Sequence, residues 1–291
     1  MSTTETTLTV KDFSTKAMPS WCPGCGDFGI LTCLKKALAD GGHTPENTVV
    51  VSGIGCGSLL PYWVNTYGAC TLHGRAIPFA TGVKIANHDL NIVVNIGDGD
   101  GLGIGMGHFI HFFRRNFDMA VICDNNGVYG LTKGQTSPTS KQGMKTSSTP
   151  FGSIEDYVNG PALALQMGAT FVARAYSADA PGLTEIIKRA MAHRGAAFVD
   201  ILQPCVTFNK QETYEFYNAN VAKNPLEEPI CSDRLEAIDF VLTPREDIPT
   251  GIIFAEDAPT YEDRIPQFEK GPLVQQEIEA IDAHTFMESR S

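Results

Sequence analysis

Short apolar, β-branched runs alternate with longer amphipathic ones through most of the chain. Thr48 to Val51, Ile92 to Ile96, Met119 to Cys123, Thr170 to Ala173 and Ala197 to Leu202 read as strands. Each is continuously apolar rather than alternating, the pattern of parallel strands buried on both faces. Between them lie helix candidates: Asp27 to Leu38, Ile77 to Asn87, Leu102 to Arg115, Pro161 to Met167, and Leu183 to His193, the last ended by Gly195. This βαβα order predicts an α/β fold, an open and mostly parallel sheet with helices on both faces.

Two stretches depart from the rhythm. Thr132 to Ser153 is polar and exceeds the roughly 12 to 15 residues of an ordinary structureless connection, so it reads as a functional or partner-facing loop. After Pro204 the strand pattern fades, and only Leu273 to Ile281 resembles a helix. The expected division is a polar N-terminal segment (1–20), an α/β domain (21–205), and a C-terminal extension (206–291) packing on the core or on a partner subunit.

Composition narrows the classes. The 291 residues are 43% hydrophobic and 19% charged, as in a soluble globular protein. A formal net charge of -11 argues against a nucleic-acid surface, which needs clustered Lys and Arg. No run approaches the roughly 20 apolar residues of a membrane-spanning helix, and Met1 to Ser20 lacks a basic-then-apolar signal pattern. The default location is the cytoplasm. There the eight cysteines are expected as metal ligands or buried thiols rather than a disulfide framework.

In an open parallel sheet, ligands bind beyond the carboxyl ends of the strands. Cys56 follows the first strand in Gly53-Ile-Gly-Cys-Gly57, Asp98 the second in Gly97-Asp-Gly99, Asn125 and Asn126 the third, and Cys205 the fifth. The segment Gly97 to Gly105 contains no G-x-G-x-x-G spacing, so a nicotinamide reading is weak. Asp98 and Asp100 in a phosphate cradle would repel a diphosphate unless a hard divalent cation bridged them, which is how magnesium is usually held. The loop therefore predicts metal plus diphosphate, with Asn126 and the Val128 carbonyl as further oxygen ligands; the plainer reading is two ordinary turns.

Trp21-Cys-Pro-Gly-Cys-Gly26 presents a C-x-x-C pair just before a helix, open to a redox dithiol, zinc or an iron-sulfur cluster. A thioredoxin-like dithiol would follow a core strand, whereas this pair follows a polar tail. Cys56 and Cys205 fall on the rim predicted for the diphosphate, where a purely structural zinc has no reason to be. Cys33 and Cys123 read as buried hydrophobes, and Cys70 and Cys231 are also left outside the cluster.

The pairing of Gly97-Asp-Gly99 with Asn125-Asn126 resembles the diphosphate motif of thiamine-diphosphate enzymes. Together with the C-x-x-C segment, Gly53-Ile-Gly-Cys56, His73-Gly-Arg-Ala76, Asn125 to Gln135 and Pro204-Cys205, it resembles the beta subunit of 2-oxoacid:ferredoxin oxidoreductases, over about residues 15 to 215. That resemblance implies a four-iron four-sulfur cluster on Cys22, Cys25, Cys56 and Cys205. It implies thiamine diphosphate with magnesium at Asp98, Asn126 and Val128, lined by Gly57, Ser58, His73, Gly97, Gly99, Asp100, Gly130, Leu131 and Thr132. His73 and Arg75 become the catalytic candidates, Arg75 either anchoring a carboxylate or pairing structurally.

The implied activity is coenzyme A-dependent, reversible oxidative decarboxylation of a 2-oxoacid, with electrons passed to ferredoxin. An alpha subunit would supply the pyrimidine-binding domain and the catalytic glutamate, in a dimer of heterodimers. Leu59 stands where some relatives carry a basic residue, while Leu60-Pro-Tyr-Trp-Val-Asn-Thr-Tyr67 resembles the 2-oxoglutarate branch. Pyruvate or a branched-chain 2-oxoacid is the alternative substrate. A non-redox thiamine-dependent decarboxylase subunit with zinc-bound cysteines, and a bare electron-transfer module, are the competing functions.

Overall fold

A computed structural model describes residues 8–277. The elements run α1 (Asp27–Asp40), β1 (Thr48–Ser52), β2 (Tyr67–Cys70), α2 (Ala76–Ala86), β3 (Asn91–Gly97), α3 (Met106–Arg115) and β4 (Met119–Asn125). A small hairpin follows, β5 (Val128–Tyr129) with β6 (Gln135–Thr136), then α4 (Gly160–Gln166), β7 (Phe171–Tyr176), α5 (Ala180–Ala192) and β8 (Ala196–Leu202). The chain continues through α6 (Tyr214–Asn220), β9 (Val221–Lys223), α7 (Arg234–Leu242) and β10 (Ile248–Ala255).

Eight strands form one sheet in the order β2-β1-β3-β4-β8-β7-β10-β9. Every pairing from β2 to β7 is parallel, and β10 joins β7 antiparallel. The strands bury both faces because their side chains alternate between two cores. Val50, Val93, Ile122 and Val199 meet α1 and α5 through Ile30, Leu34, Leu183 and Ile187. Val51, Val94, Val121 and Phe198 meet α2, α3 and α4 through Ala80, Phe109, Phe113 and Leu165. Phe109 stands edge-on to Phe198 at 5.1 Å, an arrangement that aromatic quadrupoles favour.

The predicted α/β fold is present, with three departures. The strand expected at Thr170 to Ala173 runs over Phe171–Tyr176. The helix expected from Leu102 breaks at Gly103 (φ -93°, ψ -109°), and regular helix begins at Met106. The segment after Pro204 contributes two helices and two strands, whereas the sequence pattern pointed to a helix over Leu273 to Ile281. Of that stretch, Leu273–Gln275 forms a single 3-10 turn, and 278–281 lie outside the described residues. Beyond β10 the chain runs along the amino edge of the sheet: Glu256 N–H donates to Thr170 O, Tyr261 N–H donates to Asn116 O, and Phe268 stacks on His88.

Candidate cofactor and cluster site

Because β1, β3, β4 and β8 are parallel, their carboxyl ends open on one edge, and β2 adds a fifth exit beside them. A cavity of about 170 Å³ lies there. Of the residues anticipated for the cofactor, Gly57, His73, Gly97, Asp98, Gly99, Asp100, Asn126, Val128, Gly130, Leu131 and Thr132 line it, as does Cys56. Ser58 is buried with its carbonyl taken by the Ser52 hydroxyl. Arg75 is exposed outside the cavity wall, its guanidinium donating to Gly74 O.

The Asp98 carboxylate is 2% exposed. Burial pushes it up to about 6, against the pull of the Ser137 and Thr139 hydroxyls that donate to it. Ser137 and Thr139 belong to the polar stretch read as a loop, which reaches Asp98 through these two hydroxyls and leaves Phe151 exposed. Nothing in a run of Ser and Thr marks which hydroxyls will face inward, so both were missed in the sequence. Asn126 Oδ1 accepts from Val128 N–H at 3.0 Å, a turn that sets both residues in the cavity wall. Tyr129, also unanticipated, donates from its hydroxyl to Gly99 O at 3.2 Å; a Cβ on Gly99 would lie 2.2 Å from its ring.

Asp100 behaves differently from Asp98. Its Oδ1 accepts from Ile54 N–H (3.0 Å), Gly74 N–H (2.7 Å) and His73 Nδ1 (2.7 Å), so this oxygen is spent on neighbouring loops, while the buried Oδ2 has no hydrogen-bond partner among the described residues. Deeper still, Asp124 accepts from Asn95 Nδ2 at 2.9 Å. Burial, and then the Asp27 carboxylate, hold Asp124 well above the usual carboxylate range.

The four rim cysteines are drawn together by contacts that no spacing rule supplies. Trp21 Nε1 donates to Cys56 O at 2.7 Å, tying the C-x-x-C loop to the β1 exit. Gln203 Nε2 donates to Cys25 Sγ at 3.2 Å, and a side chain on Gly26 would strike Gln203 and Ser177, tying the same loop to the β8 exit beside Cys205. Tyr214 of α6 closes it from outside by donating to Gly24 O. A Cβ on Gly130 would lie 3.5 Å from Cys56 Sγ and 3.8 Å from Cys205 Sγ, so this residue of the cavity wall lies against both sulfurs. Burial, then Asp27, pushes the Cys56 thiol up to about 12 and the Cys25 thiol higher still. Cys33, Cys123 and Cys231 are buried away from this loop cluster and Cys70 is exposed at the β2 end; all eight cysteines are free.

Among the described residues, no three His, Cys, Asp or Glu side chains stand close enough to share one metal ion. Four separated sulfurs suit the corners of an iron-sulfur cluster, whose own core spaces its thiolates. On the oxygen side, a buried, raised carboxylate beside a carbonyl-bearing turn fits a hard cation. A second cavity of about 600 Å³ lies behind Asn125 and Thr139, where Arg174 Nε and Asn125 Nδ2 both donate to Asp200 at 2.9 Å.

Residues 53–201 match the family described as thiamine pyrophosphate enzyme, C-terminal TPP binding domain, and 205–270 match the C-terminal family of the pyruvate ferredoxin oxidoreductase beta subunit. The chain is 48% identical over 269 residues to the 2-oxoacid:ferredoxin oxidoreductase 1 subunit beta of Aeropyrum pernix, covering 89% of this chain and 85% of that one. It is a 2-oxoacid:ferredoxin oxidoreductase beta subunit by family. Within that family, the 2-oxoglutarate oxidoreductase subunit KorB of Mycobacterium tuberculosis is 49% identical over 199 residues, covering 68% of this chain and 53% of that one. A solved 2-oxoglutarate:ferredoxin oxidoreductase from Magnetococcus marinus, with 2-oxoglutarate, coenzyme A and succinyl-CoA bound, superposes with a TM-score of 0.89 at 38% identity, covering 98% of this chain and 96% of that one. Membership makes the chain an oxidoreductase subunit. No described helix is long and apolar enough to cross a membrane.

Proposed function

We propose that this subunit holds thiamine diphosphate with magnesium at Asp98, Asn126 and Val128, and a four-iron four-sulfur cluster at Cys22, Cys25, Cys56 and Cys205. The observation that carries this reading is Gly130, which lines the cofactor cavity while its open face meets the sulfurs of Cys56 and Cys205. A cofactor that yields electrons and a centre that accepts them would share one thin wall. Bound there, thiamine diphosphate supplies a nucleophilic carbon for a 2-oxoacid carbonyl, and the cluster takes electrons singly toward ferredoxin.

The chain's own contribution is positional. Asp98 and the Asn126 turn hold the cation that offsets phosphate charge, Tyr129 fixes the Gly99 backbone, and His73 faces the cavity. The site is completed by an alpha subunit that supplies the glutamate, a reading supported by the subunit names of the relatives, with coenzyme A accepting the acyl group, in a cytoplasmic dimer of heterodimers. 2-Oxoglutarate is the favoured substrate, supported by the named relatives and by the molecules bound in the solved neighbour. The match of 205–270 to a pyruvate-enzyme family favours pyruvate as the second reading.

The test is anaerobic co-expression with the alpha subunit and a substrate panel read by ferredoxin reduction. Highest kcat/KM with 2-oxoglutarate supports the first reading, and preference for pyruvate the second. Zinc in place of iron, with aldehyde as product, would sink both.

A further inference from the structure

The two aspartates of the Gly97 to Gly105 loop have separate work, and Asp100 does its share through His73. We infer that Asp100 is a positioning residue that fixes the tautomer of His73, leaving Nε2 as a hydrogen-bond acceptor toward the cofactor cavity. This rests on the proposed function for its catalytic meaning only; the tautomer itself does not.

For a neutral imidazole the geometry leaves one proton arrangement. Asp100 Oδ1 accepts from the backbone N–H groups of Ile54 and Gly74, at 3.0 and 2.7 Å. Backbone amides can only donate, so that oxygen must remain an acceptor. His73 Nδ1 stands 2.7 Å from the same oxygen and must therefore carry the hydrogen. A neutral imidazole with Nδ1 protonated keeps its lone pair on Nε2. The opposite tautomer would set two lone pairs against each other inside a pocket where the Asp100 side chain is 0% exposed.

Two further features hold the arrangement. Gly53 leaves room for the carboxylate, since a Cβ there would lie 2.0 Å from Asp100 Oδ2. Tyr129 stands edge-on to the His73 ring at 6.1 Å. One carboxylate thereby joins the exits of β1, β2 and β3, and His73 becomes selective: in its neutral form it meets an N–H or O–H group on the bound cofactor or substrate, and disfavours a bare carboxylate.

The test begins with the full chain, ¹⁵N-labelled at histidine, at a pH where imidazoles are neutral. Long-range ¹H–¹⁵N correlations, assigned by loss in His73→Gln, should show Nδ1 protonated and Nε2 bare. Asp100→Ala should move His73 toward the Nε2-protonated form. Asp100→Asn should keep the native tautomer, because its amide oxygen must still face two backbone donors. In the reconstituted complex, Asp100→Ala should lower kcat by about 10- to 100-fold, the usual loss when a histidine's orienting partner is removed. Iron content should be unchanged, and the same change should cause no further loss in a His73→Gln background. An Nε2-protonated His73 in the native chain or in Asp100→Asn overturns the inference, and so does an additive loss in the double variant. If Asp100→Ala does not fold, Asp100→Asn decides by the same spectrum. An inactive complex whose His73 has the native tautomer counts against the proposed function and leaves this inference standing.

Discussion

On the oxygen side of the rim, Asp98 already has two hydroxyl partners, and behind Thr139 stand Asn125, Asp200 and Arg174 in one connected network. On the sulfur side, Cys25 meets Gln203 and Asp27, and burial opposes ionisation of both Cys25 and Cys56. Hydroxyls can hold a hard carboxylate in place before any cation arrives. Gln203 gives Cys25 a single amide donor while Asp27 adds negative charge beside it, so a thiolate there calls for positive charge of its own. The oxygen half thus has more hydrogen-bond support of its own than the sulfur half.

The sharpest break of this contrast is Cys56→Ser or Cys205→Ser. Either should remove most of the iron and abolish ferredoxin reduction, read by iron assay and visible absorbance of anaerobically purified protein. Full iron retention would show that the sulfur side does not depend on these ligands.

Asp98→Ala should come next, losing thiamine diphosphate binding and activity together while iron stays near the native value. Calorimetry with magnesium and thiamine diphosphate on the complex reads it, and undiminished magnesium-dependent affinity would place the diphosphate elsewhere.

Support behind the oxygen side can be probed at Arg174, whose side chain is 14% exposed against 4% for Asp200. Arg174→Met leaves a buried carboxylate without its cation, and should cost about 3–5 kcal/mol of stability in urea unfolding. A loss under about 1 kcal/mol would match a surface pair instead.

The smallest effect is expected at Cys33, 1% exposed on α1 and away from the rim. Cys33→Ser should leave iron and activity unchanged, since its thiol is directed at Ala180 O rather than at the other sulfurs. Lost iron in that variant would mean that the cluster ligands are wrongly chosen.

How much of this was legible beforehand follows from where each signal resides. Strand exits are visible as apolar runs ended by Gly, Asp, Asn or Cys, so Cys56, Asp98, Asn126 and Cys205 could be placed on one rim from the pattern alone. β10 was hidden because Pro249 and Gly251 interrupt it, and both residues ordinarily count against a strand. Tyr67–Cys70 was hidden by its brevity and its exposed edge position. The inward hydroxyls of Ser137 and Thr139, and the partners of Asp100, depend on distant loops meeting, which no local pattern encodes. The break at Gly103 was missed for a related reason: Leu102 to Arg115 has apolar spacing suited to a helix, while the Asp100 loop imposes another path.

The reversal of β10 against β7 has a practical side. Because it turns the chain around, everything from Glu256 to Glu277 is delivered to the amino edge of the sheet, opposite the cysteines and the cofactor cavity. A tether attached at exposed Glu269 would hold the subunit on an electrode or bead by its far side, leaving the edge with the cysteines and the cavity uncovered.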